Sequence, residues 1–252
     1  MARQSSKTPG SKKRRTRKTE APPHRTLRQR LRRWVVRAVL LAVAFVAVMV
    51  VLFAILNPPT TPYIFAESRR LGGVEQDWRD LEDIAPVMAR SVVAAEDANF
   101  CLHWGLDLNA IRAAMESGGN RGASTISQQV VKNVYLWHGR SWVRKSLEAM
   151  LTPVVEAVWS KERIIEVYLN VAEFDEGVFG VQAAAQHYFG VDADALSPTQ
   201  AARLAAILPD PKGRSASNPS SFVRSRTASI MDGAETIRVD GRADCFDRQG
   251  RD

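Results

Sequence analysis

Cysteine is almost missing from this 252-residue chain: Cys101 and Cys245 are the only two. Two thiols cannot build the disulfide framework of a small secreted domain, and they lack the paired spacing of a metal site. They stand 144 positions apart. One bridge outside the cytosol stays open, because sequence does not show whether their backbones approach. A basic excess is also missing from most of the chain. The formal net charge is +8, but 14 of the 35 Lys and Arg lie in residues 1–37, against one acid, Glu20. The remainder holds 21 basic and 26 acidic side chains. The basicity belongs to a tail, and no nucleic-acid partner is expected. Strand-type alternation is scarce, and no internal repeat occurs.

What is present begins with one long apolar run. Residues 38–56 read AVLLAVAFVAVMVVLFAIL, 19 residues without a charge. As a helix they span roughly 28 Å at ~1.5 Å per residue, about the hydrocarbon thickness of a bilayer. A buried core helix and a cleaved signal peptide are the alternatives. The cationic flank argues against the first; the length and the lack of a small-x-small cleavage site argue against the second. Trp34 and Arg37 flank the inner end, and Asn57, Pro58 and Pro59 end the run. The block Lys12 to Lys18, with Arg25 to Arg37 behind it, keeps the N-terminus cytoplasmic and puts the rest outside, in a periplasm or its equivalent. Residues 1–24 read as disordered. They serve as a topology signal or touch anionic headgroups.

The organisation expected is a basic tail over 1–37, a transmembrane helix over 38–56, a linker over 57–79, one helical domain over 80–237 and a loose polar tail over 238–252. Within the domain, Asp107 is placed to cap LNAIRAAMES and Ser124 to cap TISQQVVKNVY. Trp142, Leu147, Leu151, Val154, Val155 and Val158 form one helical face, and Ile164, Ile165, Tyr168 and Leu169 another. Ser197 to Gln200 is a capping box with Pro198 at the first helical position. Gly177, Gly180 and Gly190 bracket an Ala-rich helix, and residues 221–237 form one last helix.

Three constellations could carry chemistry. In EDANFCLHWG (96–105), Glu96 ends an apolar helical stretch. The negative end of the helix dipole and apolar walls both raise a carboxyl pKa there, which suits acid–base work; the plainer reading is a surface Glu-Asp pair. In RGASTISQQVVKN (121–133), a loop of small residues enters a helix whose first turn offers free N–H groups and hydroxyls to an anion or a sugar. Gln128 and Lys132 share a face of it. The plainer reading is an ordinary capped helix. In RSWVRKSLE (140–148), Arg144 and Glu148 make either a solvated i,i+4 pair or a phosphate-binding patch beside a second carboxylate. Asp192-Ala193-Asp194 lacks the strand context of a nucleotide-sugar motif and reads as a loop. His138 and His187 read as structural.

Taken in order, EDANFCLHWG, GASTISQQVVKN (122–133), RKSLE (144–148), KERIIEVYLN (161–170) and GVFGVQAAAQHYFG (177–190) resemble the glycosyltransferase family 51 catalytic domain, nearest its monofunctional biosynthetic peptidoglycan transglycosylases. The resemblance covers roughly residues 80–225. Ser127 stands where many members have Thr, and the loop 116–121 is short against the pattern. No penicillin-binding transpeptidase domain follows, which separates the chain from bifunctional relatives. The resemblance implies a mainly α, lysozyme-like two-lobed domain behind a single transmembrane helix in the bacterial inner membrane. It implies lipid II and the growing glycan strand as substrates, undecaprenyl pyrophosphate as leaving group, and other cell-wall synthases as partners.

By motif position Glu96 corresponds to the general base and Glu148 to a second essential carboxylate. Lys132, Arg140, Arg144 and Lys145 are then the cations for the pyrophosphate, with Lys145 foremost. Ser124, Thr125 and Gln128 line the donor site. A divalent cation, Mg or Mn, could share the pyrophosphate charge; no clean ligand set is visible, and Asp97 is the one candidate. No organic cofactor is expected. The rival readings are a lytic enzyme of lysozyme type, which also uses a Glu, and an inactive scaffold of the cell-wall machinery. The basic cluster after Glu96 favours a pyrophosphate-bearing substrate over a neutral strand.

Overall fold

The computed structural model describes residues 26–116, 124–139 and 141–247. The basic tail before Thr26, most of the loop 116–121, Arg140 and residues 248–252 lie outside the described residues.

The chain divides into two units, 1–45 and 46–252. In the first, the described residues belong to helix α1 (Leu27–Phe53), which continues into the second unit. It starts well before the apolar run, because Leu27 to Arg37 is made of good helix formers. Among the described residues it is the one helix long and apolar enough to cross a bilayer.

The second unit is mainly α, as expected. In order it holds α2 (Pro62–Leu71), β1 (Glu75–Gln76), α3 (Pro86–Glu96), α4 (Leu108–Glu116), α5 (Ile126–Tyr135), α6 (Trp142–Val158) and α7 (Lys161–Val171). Then come β2 (Glu173–Asp175), β3 (Val178–Phe179), α8 (Val181–Phe189), α9 (Pro198–Ile207) and α10 (Ser221–Val239). Side-chain oxygens of Thr61, Thr125, Ser141, Ser160, Ser197 and Ser220 cap α2, α5, α6, α7, α9 and α10. Each satisfies a backbone donor that a helix start leaves open. Asp107 accepts from the backbone N–H groups of Asn109 (3.0 Å) and Ala110 (2.9 Å), as its position suggested. At α5 the cap is Thr125 and not Ser124: Thr125 and Gln128 form the capping box, one residue later than the sequence reading.

Two packing groups make the core. Helices α3, α9 and α10 pack together, and α5 packs against both α6 and α7. Met88, Val92 and Val93 of α3, Ile126, Val130 and Val131 of α5, and Leu204 and Ile207 of α9 are fully buried. The small sheet has the order β1-β3-β2, with β3 parallel to β1 and antiparallel to β2. Gly180 at the start of α8 has φ +82°, and a Cβ there would sit 3.0 Å from the Asn170 carbonyl oxygen, so glycine is needed.

Two expectations change. The apolar face assigned to α6 points mostly outward. Trp142 is 89 % exposed, and Val143, Leu147, Met150, Val154 and Val158 are exposed with it, while Glu148, Thr152 and Val155 are buried. Periodicity places residues on a common face but does not say whether that face meets the core or something else. The end of the chain is not loose as far as Asp247. Cys101 and Cys245 form a disulfide, Phe246 is buried beside Phe100, and Asp247 pairs with Arg90. The three apolar anchors Ala243, Cys245 and Phe246 are too few to give a periodic signal.

Candidate active site

Glu96 is the last residue of α3, so its carboxylate leaves the helix where carbonyl groups end. Its Oε2 accepts from Gln129 Nε2 at 3.0 Å, and its Oε1 lies 3.8 Å from Arg226 Nη2 on α10. Burial pushes the carboxyl above the ordinary carboxylate range. The Gln129 hydrogen bond, Arg226 and Lys132 pull the other way, and Asp97 adds to the rise.

A cluster of positive charge lines the same hollow. It has a volume of about 700 Å³ and is walled by Glu96, Gln128, Gln129, Lys132, Arg144, Lys145 and Glu148, with Ser124, Pro209 and Arg226 at its sides. The Glu148 carboxylate is buried, with 3 % of its side chain exposed. It takes Arg144 Nη1 on one oxygen at 2.6 Å and Lys145 Nζ on the other. Lys145 Nζ also donates to Ser124 Oγ at 3.0 Å. Arg144 Nε is held by the Gly139 carbonyl at 3.0 Å. Lys132 is largely buried, and that burial lowers its ammonium pKa; Glu148 and Glu96 counter the effect, while Arg144 and Lys145 add to it. One carboxylate therefore orients two cations, and a third, Lys132, stands beside them facing Glu148 and Glu96. An anion entering the hollow would meet all three.

Of the residues singled out from sequence, Glu96, Ser124, Gln128, Lys132, Arg144, Lys145 and Glu148 line this hollow. Arg140 falls outside the described residues. Thr125 does not line it. Its hydroxyl donates to the Gly105 carbonyl at 2.6 Å and accepts from Gln128 N, so it holds the start of α5 instead of facing a ligand. Gly105 is close-packed there: at φ +77°, a Cβ would come within 2.5 Å of Thr152 Cγ2.

Asp97 was the candidate for a divalent cation, and it does not fit. Its Oδ1 is 2.8 Å from His103 Nε2, and its Oδ2 accepts from Ile126 N at 3.0 Å. Both oxygens tie the end of α3 to the start of α5. Among the described residues no group of three or more His, Cys, Asp or Glu converges as a metal site.

A second hollow of about 360 Å³ shares Gln129, Lys132 and Pro209 with the first. Tyr63 stacks on His138 there, with centroids 3.4 Å apart, and donates to Glu173, which also pairs with Lys212. Partial burial and the nearby Lys132 and Arg144 hold the His138 imidazole down to about 4, so it is neutral at pH 7, and its Nε2 lies 3.0 Å from Asn133 Oδ1. His187 rests 3.2 Å from Asp175, and Asp192 accepts from Gln182 and Gln186. Neither belongs to the site.

Sequence reasoning missed Gln129 and Arg226. Gln129 was within reach: three residues before Lys132 on α5, it shares a face with it as Gln128 does. Arg226 had no signal, because it lies on α10, beyond the motifs, among several surface arginines.

Comparison with known proteins gives the family. The family model described as Transglycosylase matches residues 66–235. A biosynthetic peptidoglycan transglycosylase of Jannaschia sp. (strain CCS1) is 59 % identical over 222 residues, covering 88 % of this chain and 93 % of that protein. Proteins of the same name from Xanthomonas oryzae pv. oryzae and Caulobacter vibrioides are 48 % and 44 % identical over 225 residues each. They cover 85 % and 88 % of this chain, and 91 % and 98 % of their own lengths. With two thirds of its residues matched by the family model and relatives of up to 59 % identity over most of its length, the chain belongs to the transglycosylase family, with its lysozyme-like, mainly helical domain.

Proposed function

We propose that this chain polymerises lipid II into the β-1,4 glycan strands of peptidoglycan and releases undecaprenyl pyrophosphate. The observation that carries the reading is the shared hollow: the Glu96 carboxylate lies in it with Lys132, Arg144 and Lys145.

A sugar hydroxyl is a poor nucleophile at neutral pH, so its proton must leave as the new bond forms. Glu96 takes that proton from the acceptor 4-hydroxyl. The acceptor oxygen bonds to C1 of the donor, and the bond from C1 to the pyrophosphate oxygen breaks. One displacement turns an α-linked donor into a β-linked product. Negative charge grows on the departing pyrophosphate, and Lys132, Arg144 and Lys145 meet it there. Charge stabilisation of this kind lowers the barrier because it strengthens as the transition state forms. Gln129 orients Glu96, Glu148 orients Arg144 and Lys145, and Ser124 and Gln128 line the donor side.

The substrate is lipid-linked, and the exterior suits that. Val143, Leu147, Met150, Val154 and Val158 form one exposed stripe on α6, and Leu102, Trp104, Leu108 and Met115 are exposed on the segment running into α4. This apolar surface rests against the bilayer that holds the polyprenyl chain. With α1 as the anchor and a cationic flank before it, the N-terminus is cytoplasmic and the catalytic domain is periplasmic, at the inner membrane.

The test separates synthesis from lysis. Purified protein is incubated with labelled lipid II in detergent and, in parallel, with isolated sacculi. Polymer with released undecaprenyl pyrophosphate is the expected result. Release of soluble fragments from sacculi, with lipid II left intact, would overturn the reading.

A further inference from the structure

Helix α10 approaches the catalytic helix closely at one point. At Gly233 a Cβ would lie 3.2 Å from Cβ of Ala94, two residues before Glu96. Ile230 is buried on the same face, and Arg226 follows one turn earlier. The packing of α10 on α3 therefore delivers the Arg226 guanidinium to the end of α3. There Nη2 donates to the Ala95 carbonyl at 3.3 Å and stands 3.8 Å from Glu96 Oε1. Its Nε–H is shielded from solvent and finds no acceptor among the described residues. Arg226 also lines the hollow itself, with 31 % of its side chain exposed.

We propose that Arg226 is a second positioning residue for Glu96 beside Gln129, steadying the carboxylate from the α10 side of the hollow and favouring its anionic form between turnovers. The proposal rests on Glu96 being the base and extends that reading to helix α10. Burial raises the Glu96 carboxyl, and a protonated acid cannot accept the acceptor's proton. The groups that face Glu96 are Gln129 and Lys132 from α5, Tyr168 from α7, neighbouring Asp97, and Arg226 from α10. Tyr168 is neutral and donates to Gln129 Oε1 at 3.3 Å. Lys132 faces Glu148 and the other cations as well and is given over to the leaving group. Arg226 is the cation whose guanidinium adjoins Glu96 with no second carboxylate paired to it among the described residues.

The test uses the full chain with lipid II in detergent, measuring kcat and KM from pH 5 to 9 for R226Q, R226M and R226K, with melting temperatures recorded. The two neutral variants differ in how well they replace the arginine stem, so whichever keeps the wild-type melting temperature is read. The acid limb of kcat/KM is expected to rise by about one pH unit in the neutral variant. Its kcat is expected to fall most on the acid side while KM stays within about threefold. R226K, which keeps the charge, returns the limb at least halfway. A well-folded neutral variant whose acid limb stays where the wild type has it overturns the proposal, whatever its kcat. So does an R226K profile no different from the neutral one. E96Q is the control that tells the two readings apart. Full activity of E96Q removes the base assignment itself, whereas an inactive E96Q with an unmoved limb in R226Q removes only Arg226.

Discussion

Lys145 Nζ donates to Ser124 Oγ at 3.0 Å while also paired with the buried carboxylate of Glu148. This contact fastens α6 to the residue that enters α5. It also splits the pair's duties, because Arg144 holds the other Glu148 oxygen at 2.6 Å. Removing Lys145 leaves Glu148 paired, whereas removing Glu148 leaves two cations without their partner. Lys145→Ala is accordingly expected to melt within a few degrees of wild type and to lose about a hundredfold or more in turnover. Glu148→Ala is expected to lose turnover and stability together, by about 3 kcal/mol. Calorimetry beside a lipid II polymerisation assay checks both. Normal turnover in Lys145→Ala would take that lysine out of the pyrophosphate site.

The disulfide gives a second expectation. Cys101 follows the Glu96 loop closely, and Cys245 sits in the last turn, where Phe246 packs on Phe100 and Arg242 donates to the Ala98 carbonyl at 3.3 Å. A cross-link closing so long a loop is worth about 2–5 kcal/mol, which for a domain of this size is roughly 5–15 °C in melting temperature. Cys101→Ser with Cys245→Ser, or strong reductant on the wild type, is expected to lower Tm by that order. Scanning fluorimetry with and without reductant measures it, with alkylation and mass spectrometry to count thiols. An unchanged Tm in fully reduced protein would mean that the last turn holds by packing alone.

Glu96 carries a stability cost that can be read against pH. Its folded-state carboxyl is raised above its unfolded value, chiefly by burial. The associated stability is complete below the unfolded pKa, about 4.3, and is lost as pH climbs through the higher folded value. Glu96→Gln, which never ionises, is therefore expected to melt higher than wild type at pH 7 to 8. The gain should vanish near pH 4. Thermal melts across that range are the check, and a variant less stable than wild type at pH 8 would contradict the expectation.

Much of the architecture could be read from the sequence, because its signals are local. Ser197, Pro198 and Gln200 announce α9, the bracket Gly180 and Gly190 bounds α8, and the apolar run marks α1. What failed were statements about what a face meets. Most apolar residues of α6 share an outward side, yet Glu148 and Thr152 are turned inward with Val155, since the helix packs that side on α5. The cap of α5 was misplaced by one residue because Ser124 and Thr125 are both good caps, and only the fit of Thr125 to the Gly105 carbonyl decides between them. For the site, the motif order brought Glu96, Lys132, Lys145 and Glu148 into view. Arg226 and the Cys101–Cys245 pairing depend on contacts over 100 residues apart, which no local pattern records.

The most direct test is single-turnover and steady-state polymerisation of labelled lipid II by Glu96→Gln, at the pH where wild type is fastest, with substrate binding measured alongside. Loss of a general base predicts a fall in kcat of roughly 10²–10⁴, with lipid II still bound about as tightly as by wild type. Turnover within about tenfold of wild type would show that the acceptor's proton leaves by another route.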